Sequence, residues 1–145
     1  MRIWRISNYA DLSGVGGLKF SGWWHSRGRL IIYSAEHPAL AMIETMVHFT
    51  WDTVPAELQL CTIEIENVET IETIIPPPDW MMNSSTTRAI GDQWLAANTA
   101  LLLRVPSIIL PDSYNFLINP MHADHGHLKI VKTQKVPLDP RLRKN

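Results

Sequence analysis

The sequence predicts an α+β fold, a compact single domain of mixed and antiparallel strands and helices. Strand-like and helix-like segments follow one another without the regular strand–helix repeat of a doubly wound sheet. The chain has 145 residues, of which 46% are hydrophobic, and this length corresponds to about one domain. A chain of this size buries roughly two-thirds of the surface that it exposes when unfolded, so it needs no disulfides. We therefore expect residues 1–145 to form one domain.

The first half of the chain predicts short strands around one longer helix. Residues 2–6 alternate in polarity, and residues 30–34 are rich in β-branched and aromatic side chains, as strands are. Pro38 suits the first turn of a helix, and residues 39–49 have helical spacing. Two weaker segments complete this half: a helical turn at 8–12 that ends at Gly14, and a strand that begins at 18–20.

The second half predicts three strands and one helix. Residues 58–65 alternate as a strand does, and the three prolines within residues 75–79 impose an extended loop. Residues 85–87 offer N-caps for a helix that runs to about Asn98. Two further strands follow: a buried one at 101–110, interrupted at Pro106, and a weaker one at 128–136.

Charge and composition exclude several classes of protein. The 13 basic and 14 acidic side chains give a formal net charge of −1, whereas general nucleic-acid and membrane-surface binders carry a basic excess. The sequence shows no signal peptide and no apolar run near the roughly 20 residues of a membrane-spanning helix. Its single cysteine cannot form an internal disulfide. We therefore expect a cytoplasmic protein that contacts neither nucleic acid nor a membrane directly.

In the helix predicted after Pro38, one acidic residue lies on the apolar side. At 100° per residue, four apolar side chains share one side of this helix with Glu44. They are Leu40, Ile43, Val47 and Trp51. A buried carboxylate without a partner costs several kcal/mol. Glu44 is therefore either a core residue paired with an arginine such as Arg5 or Arg104, or part of the wall of a pocket.

Residues 22–28 place two adjacent tryptophans, a histidine and an arginine between two glycines. One interpretation is a hydrophobic turn, with one tryptophan in the core and the other on the surface. The other is a stacking surface for adenine or nicotinamide, with Lys19, Arg27 or Arg29 available for phosphates. Neither a Walker motif nor a dinucleotide-fold glycine pattern is present.

Two further polar segments suggest chemistry. Ser107 follows an apolar run through Pro106, so its hydroxyl could be held at a strand end, but it lacks the glycine-flanked elbow of a hydrolase nucleophile. Residues 122–127 carry three histidines and an aspartate without a helical His-Glu-x-x-His frame or a cysteine pair. We expect a polar loop or a substrate-entry rim there and no metal; a ribonuclease acting through this loop is a weaker alternative.

Together these pieces resemble the RES domain, the toxin half of bacterial RES-Xre toxin–antitoxin pairs. The resemblance covers nearly the whole chain and rests on the order and spacing of several short motifs. They are WRIS at 4–7, GWWHSRG at 22–28, IY at 32–33, ALAMIE at 39–44, GDQWL at 91–95, VPS at 105–107 and NFLINPMH at 115–122. It implies a fold similar to that of ADP-ribosyltransferases and an activity that degrades NAD.

The resemblance also implies site residues. The glutamate and serine of the family name correspond to Glu44 and Ser107, and Tyr33 is the accompanying tyrosine, so these three are the expected catalytic residues. The family arginine, between Gly22 and Trp24, is replaced here by Trp23. The expected contacts to NAD come from Arg5, Lys19, Trp23, Arg27 and Asn115, with NAD as substrate and no metal.

The implied function is a toxin that cleaves the nicotinamide–ribose bond of NAD by glycohydrolase or ADP-ribosyltransferase chemistry. The implied partners are a second copy of the chain and an Xre-type antitoxin with a helix-turn-helix. An indole cannot make the bidentate phosphate contacts of an arginine. The alternative is therefore a weakened or inactive, non-enzymatic binding protein, because Trp23 occupies the place of the family arginine.

Overall fold

The computed structural model describes residues 1–143, and seven strands in this part of the chain form one sheet. The strands are β1 (Arg2–Ile6), β2 (Ile32–Ala35), β3 (Glu57–Ile65), β4 (Ile71–Thr73), β5 (Leu102–Pro106), β6 (Tyr114–Ile118) and β7 (Leu128–Pro137). Their spatial order is β4-β5-β6-β2-β1-β3-β7. Neighbouring strands are antiparallel, except for the parallel pair β4 and β5.

In the same described residues, three α-helices accompany the sheet: α1 (Gly16–Lys19), α2 (Pro38–Met46) and α3 (Ser84–Ala97). The His37 side chain caps α2 by accepting a hydrogen bond from the Ala39 N–H. The side chain of Asn83 caps α3, and Asn98 ends that helix in the left-handed conformation. Short 3-10 helices lie at Trp80–Met82, Ala123–His127 and Pro140–Arg143. Across residues 1–143, no helix combines the length and apolar character that crossing a membrane requires.

Strand alternation gives the sheet two faces with different coverings. On one, which we call the helical face, Tyr33 lies opposite Leu117, which in turn lies opposite Leu103. Helix α3 packs Trp94 against this face, and α2 packs Leu40 beside β1 and β2. On the other face, a second core cluster includes Ile3, Ile32, Ile63, Leu102 and Ile118.

One polar pair lies on that second face. Strand pairing places Cys61 of β3 directly opposite Arg5 of β1, and only 1% of the Cys61 surface is exposed. Burial raises the pKa of the Cys61 thiol and lowers the pKa of Arg5. Neither side chain therefore points toward α2.

The α+β prediction is confirmed, and so are seven predicted elements, with small shifts in their bounds. The helical turn predicted at 8–12 is wrong. There the Asp11 side chain accepts hydrogen bonds from Ser13 instead, and such local bonds compete with a helix. The strand predicted from 18–20 is also wrong, because α1 occupies residues up to Lys19.

Two strands were not predicted from the sequence. No element was predicted from the sequence for residues 114–118, which form β6, paired on both sides by β2 and β5. Pairing with two neighbours outweighs the low strand preference of Asn115. The three-residue β4 is too short to show a periodicity. The strand predicted at 101–110 ends at Pro106, because proline cannot donate to the next ladder bond.

Candidate active site

A cleft of about 870 Å³ lies beside α2 on the helical face of the sheet. This volume is within the usual range for small-molecule sites. Its lining includes five residues that were predicted from the sequence to act at the site: Arg5, Trp23, Tyr33, Glu44 and Asn115. The fold therefore gathers residues from β2, α2, β6 and the loop after α1 around one space.

Glu44 is the acid of this cleft, and two side chains hold its carboxylate. Its Oε1 accepts a hydrogen bond from Ser107 Oγ at 2.6 Å and another from Asn115 Nδ2 at 2.7 Å. Within residues 1–143, its Oε2 has no hydrogen-bond partner. Two donors on one oxygen offset much of the cost of removing the carboxylate from water. The second oxygen remains available to a ligand.

The alternative pairing of Glu44 with Arg5 or Arg104 does not occur, and strand alternation explains why. Both arginines project to the face opposite α2. The Arg5 Nη1 donates to the Asp11 carbonyl, and the Arg104 guanidinium lies 3.3 Å from the centroid of the Tyr114 ring. Much of the predicted apolar arc is also exposed: 38% of Ile43, 59% of Val47 and 54% of Trp51. Glu44 thus lies at a pocket wall and not in the core.

Ser107 is positioned by the turn that follows β5. It is only 2% exposed, and its Oγ accepts hydrogen bonds from the N–H groups of Ile109 and Leu110. Those two bonds orient the hydroxyl so that its proton points to Glu44. This is the arrangement expected from the sequence, a hydroxyl held at the end of a strand. Such a buried hydroxyl can orient the acid but has little surface left for a ligand.

Tyr33 is tied into a network with His25. His25 Nε2 donates to the Phe20 carbonyl at 2.9 Å, so the neutral ring presents Nδ1 as an acceptor. This atom lies 2.7 Å from the Tyr33 hydroxyl and receives the Gly22 N–H. The Tyr33 oxygen in turn accepts the Trp24 N–H. Burial lowers the pKa of His25 and raises that of Tyr33, which keeps both groups neutral.

The two adjacent tryptophans have different environments. Trp24 is buried in an aromatic cluster, and its ring centroid lies 5.7 Å from that of Trp80. Trp23 is partly buried and lines the cleft. Its Nε1 is buried and has no hydrogen-bond partner among the described residues. One indole therefore belongs to the core, while the other presents aromatic surface to the cleft.

The predicted cationic contacts are spread more widely than the rest of the site. Arg5 borders the cleft, but its guanidinium is bonded on the other face of the sheet. Lys19 and Arg27 are exposed and lie outside the lining of the cleft. The contacts of Arg5, Lys19 and Arg27 to NAD stay predictions. Because Lys19 and Arg27 do not line the cleft, they could reach NAD only from its rim.

The histidine-containing loop at residues 122–127 lies apart from this cleft. Its His122 and Asp124 border a small cavity of about 110 Å³, and His125 Nε2 donates to the Leu12 carbonyl. In the part of the chain that the structure describes, no three histidine, cysteine, aspartate or glutamate side chains form a group able to hold a metal ion. The loop contributes no residue to the cleft that contains Glu44.

Sequence reasoning missed one cation in the lining, Arg88 of α3. It follows Thr87 on the side of α3 that also buries Gly91 and Trp94. An arginine beside the buried arc of a helix is a signal that the sequence contained. His25 was noted among the ring-bearing residues of 22–28, but its bond to Tyr33 depends on a fold that no local pattern reveals.

Comparisons with known proteins agree with the fold and the motifs. The RES domain family model matches residues 2–140. The relative named Toxin Res from Pseudomonas putida is 41% identical, over 98% of this chain and 99% of that protein. The Prs ADP-ribosylating toxin of Sphingobium sp. is 36% identical, over 96% of this chain and 94% of that protein.

A solved structure shows the same fold at low sequence identity. The crystal structure of the M. tuberculosis MbcT-MbcA toxin–antitoxin complex aligns with a TM-score of 0.69 at 18% identity. The alignment covers 98% of this chain and 86% of the matched chain. The motif-based resemblance is confirmed by the family match and by relatives that align over nearly their full length. The chain belongs to the RES domain family.

Proposed function

We propose that this protein is a toxin that depletes NAD by cleaving its nicotinamide–ribose bond. The observation that carries the proposal is the Glu44 carboxylate, held by Ser107 and Asn115 at the wall of a cleft of ligand size. The names of relatives, which include an ADP-ribosylating toxin, agree with this chemistry. NAD is the substrate, and the reaction requires no metal, because nicotinamide leaves as a neutral molecule.

The reaction breaks the bond between ribose C1′ and the ring nitrogen of nicotinamide. The electron pair leaves with nicotinamide, which loses its positive charge, and the ribose passes through an oxocarbenium-like state. A carboxylate close to the ribose stabilises that positive charge. Water then adds to C1′ and releases a proton, which gives ADP-ribose. If a protein side chain adds in place of water, the product is an ADP-ribosylated protein.

Each predicted site residue receives a role in this scheme. The free Oε2 of Glu44 faces the ribose, and Ser107 and Asn115 fix the orientation of the carboxylate. Both hydrogen-bonding directions of the Tyr33 hydroxyl are used within the protein. Its contribution to nicotinamide binding is therefore the face of its ring. Trp23 adds a second aromatic surface in the same cleft.

The proposed partners are an Xre-type helix-turn-helix antitoxin and a second copy of the chain, and the proposed location is the cytoplasm. A structural neighbour was solved as a toxin–antitoxin complex. Phe20 and Val47 line the cleft with 73% and 59% of their surfaces exposed, and such exposed apolar surface often marks interaction sites. A net charge of −1 leaves DNA binding to the antitoxin.

Measuring NAD over time with the purified protein tests the proposal. The wild type should consume NAD and release nicotinamide. Glu44→Gln keeps the shape of the side chain but removes its charge, so NAD consumption should be abolished in a folded variant. Glu57→Gln, an exposed change at the start of β3, is the matched control. Unchanged NAD turnover in Glu44→Gln, or RNA cleavage without NAD loss, would contradict the proposal.

Trp23 favours a second candidate function, a weakened or inactive protein that acts by binding. The position of the family arginine holds a partly buried indole whose Nε1 has no partner in residues 1–143. The cleft would then serve as an apolar docking surface for the antitoxin. Antitoxin binding without NAD loss by the wild type would support this second function.

A further inference from the structure

Arg88 is a cation inside the cleft that neither the sequence motifs nor the comparisons assign. It lies on the second turn of α3, is partly buried and lines the same space as Glu44 and Tyr33. Its Nε donates to the Gly22 carbonyl at 2.8 Å. Within residues 1–143, its two Nη atoms make no hydrogen bond and no ion pair. The guanidinium is thus anchored at one nitrogen and has both terminal nitrogens available.

The other cations near the site are engaged or exposed. The Arg5 guanidinium lies on the face of the sheet opposite α2, where it donates to the Asp11 carbonyl, and Arg29 pairs with Asp92 at 3.2 Å. Lys19 and Arg27 extend into solvent outside the cleft lining. Arg88 is therefore the permanently charged side chain best placed to meet an anion within the cleft.

The position of Arg88 relative to Trp23 is also fixed. Its neighbour Thr87 donates from Oγ1 to the Trp23 carbonyl at 2.5 Å, while Arg88 donates to the adjacent Gly22 carbonyl. Consecutive residues of α3 therefore hold consecutive residues of the loop. The Arg88 charge is held beside the aromatic wall of the cleft.

We propose that Arg88 binds the pyrophosphate of the dinucleotide through its two Nη atoms. A planar guanidinium with two parallel donors matches phosphate oxygens bidentately, and a partly buried position strengthens the attraction. The assignment rests on the proposed function, since it requires that a dinucleotide occupies the cleft. It gives the site a phosphate contact even though position 23 holds an indole.

Titration calorimetry with ADP-ribose tests this assignment, with adenosine as a ligand that lacks the pyrophosphate. In Arg88→Gln, ADP-ribose affinity should fall about 10- to 100-fold, as expected for the loss of charge-assisted hydrogen bonds. Adenosine affinity should stay within about twofold, because adenosine has no phosphate for Arg88 to bind. Arg2→Gln, which removes an exposed charge paired with Glu64, is the control and should bind both ligands as the wild type does.

A second variant covers the case in which Arg88→Gln does not fold. In Arg88→Lys the amine can still reach the Gly22 carbonyl, but the planar fork is lost, so ADP-ribose should bind about tenfold more weakly. Unchanged ADP-ribose affinity in a folded variant would overturn the assignment of Arg88. An equal loss for ADP-ribose and adenosine would also overturn it, because that loss would reflect a displaced loop.

The outcomes also separate this assignment from the proposed function. A wild type that consumes NAD while Arg88→Gln binds ADP-ribose normally refutes the role of Arg88 and leaves the function standing. A wild type that neither binds ADP-ribose nor consumes NAD refutes both.

Discussion

The Tyr33 hydroxyl is held by neighbours that leave it little freedom. It contacts His25 Nδ1 and accepts the Trp24 N–H, while Gly22 approaches so closely that an added Cβ would lie 2.4 Å from the hydroxyl oxygen. His25 keeps this arrangement only as a neutral ring, because protonated Nδ1 could no longer accept the Gly22 N–H. The ring face of Tyr33 is therefore pre-oriented in the cleft.

This network predicts a loss of stability in mild acid. In the folded protein, burial lowers the pKa of His25 below its ordinary value of 6.5. Below pH 6.5 the unfolded chain therefore binds more protons than the folded one. The His25 contribution to stability is complete above pH 6.5 and declines as the pH falls below it. Melting temperatures at about pH 7.5 and about pH 5 should differ more for the wild type than for His25→Gln. The same difference in both proteins would contradict this role of His25.

The resemblance to the RES family places Trp23 where the family has an arginine. Trp23→Arg should increase NAD consumption and toxicity, because it places a second guanidinium beside Arg88, where an indole cannot bind phosphate. Trp23→Met is the control, because methionine has a length similar to that of arginine but carries no charge. NAD assays with purified protein and growth assays in cells measure the two effects. Equal NAD consumption by Trp23→Arg and the wild type would show that Arg88 or another cation already does this work.

Helix α3 acts as a clamp on the loop that contains Trp23 and His25. In addition to the bonds from Thr87 and Arg88, the Asp92 carboxylate accepts the Ser26 N–H at 2.9 Å and pairs with Arg29. The helix comes close enough for these contacts because residue 91 is a glycine. An added Cβ there would lie 1.7 Å from the Trp24 carbonyl oxygen.

Gly91→Ala should therefore destabilise the protein despite the higher helix propensity of alanine. Propensity favours the change by about 1 kcal/mol, but α3 must move from the loop, and such overpacking costs about 1–3 kcal/mol. We expect a melting temperature lower by several degrees and faster proteolysis of residues 21–29. Gly126→Ala is the control, since its added Cβ meets no atom within 4 Å. Equal stability of Gly91→Ala and Gly126→Ala would show that the clamp can yield.

Elements with a strong period were predictable, and those defined by their partners were not. α2 follows from Pro38 and the apolar spacing after it, and β3 from its alternation. β6 contains asparagine and follows a proline and an aspartate, so its local signals favour a turn. Its strand conformation comes from β2 and β5, which pair with it from both sides. Long-range pairing of this kind cannot be inferred from a short segment of sequence.

At the scale of the whole molecule, the sheet brings together residues that are far apart in the chain. Glu44 lies 63 positions before Ser107 and 71 before Asn115, yet both donate to one of its oxygens. From the sequence, the residue types and the family motifs identified this set, and the helical pattern showed that Glu44 was out of place. The sequence did not reveal its partners, because the register of β5 against β6 decides which side chains face α2.

The positions of the arginines also depend on which face of the sheet each residue occupies. Alternation along β1 and β5 directs Arg5 and Arg104 away from α2, so the two arginines considered as partners of Glu44 do not reach it. Arg88 reaches the cleft from α3, whose sequence predicted a helix but no site residue. Predicting the site cations therefore requires knowing which face each strand residue occupies.

Because Cys61 is buried, the reactivity of its thiol reports local opening of the sheet. A thiol that is 1% exposed and paired between β1 and β7 reacts with a thiol reagent only after the strands around it separate. The labelling rate then follows the free energy of that opening. A ligand that binds the folded form alone slows the labelling by a factor of one plus its concentration divided by its Kd. NAD or antitoxin binding is thus measurable as slower labelling of Cys61, even in Glu44→Gln, where no turnover remains to be followed.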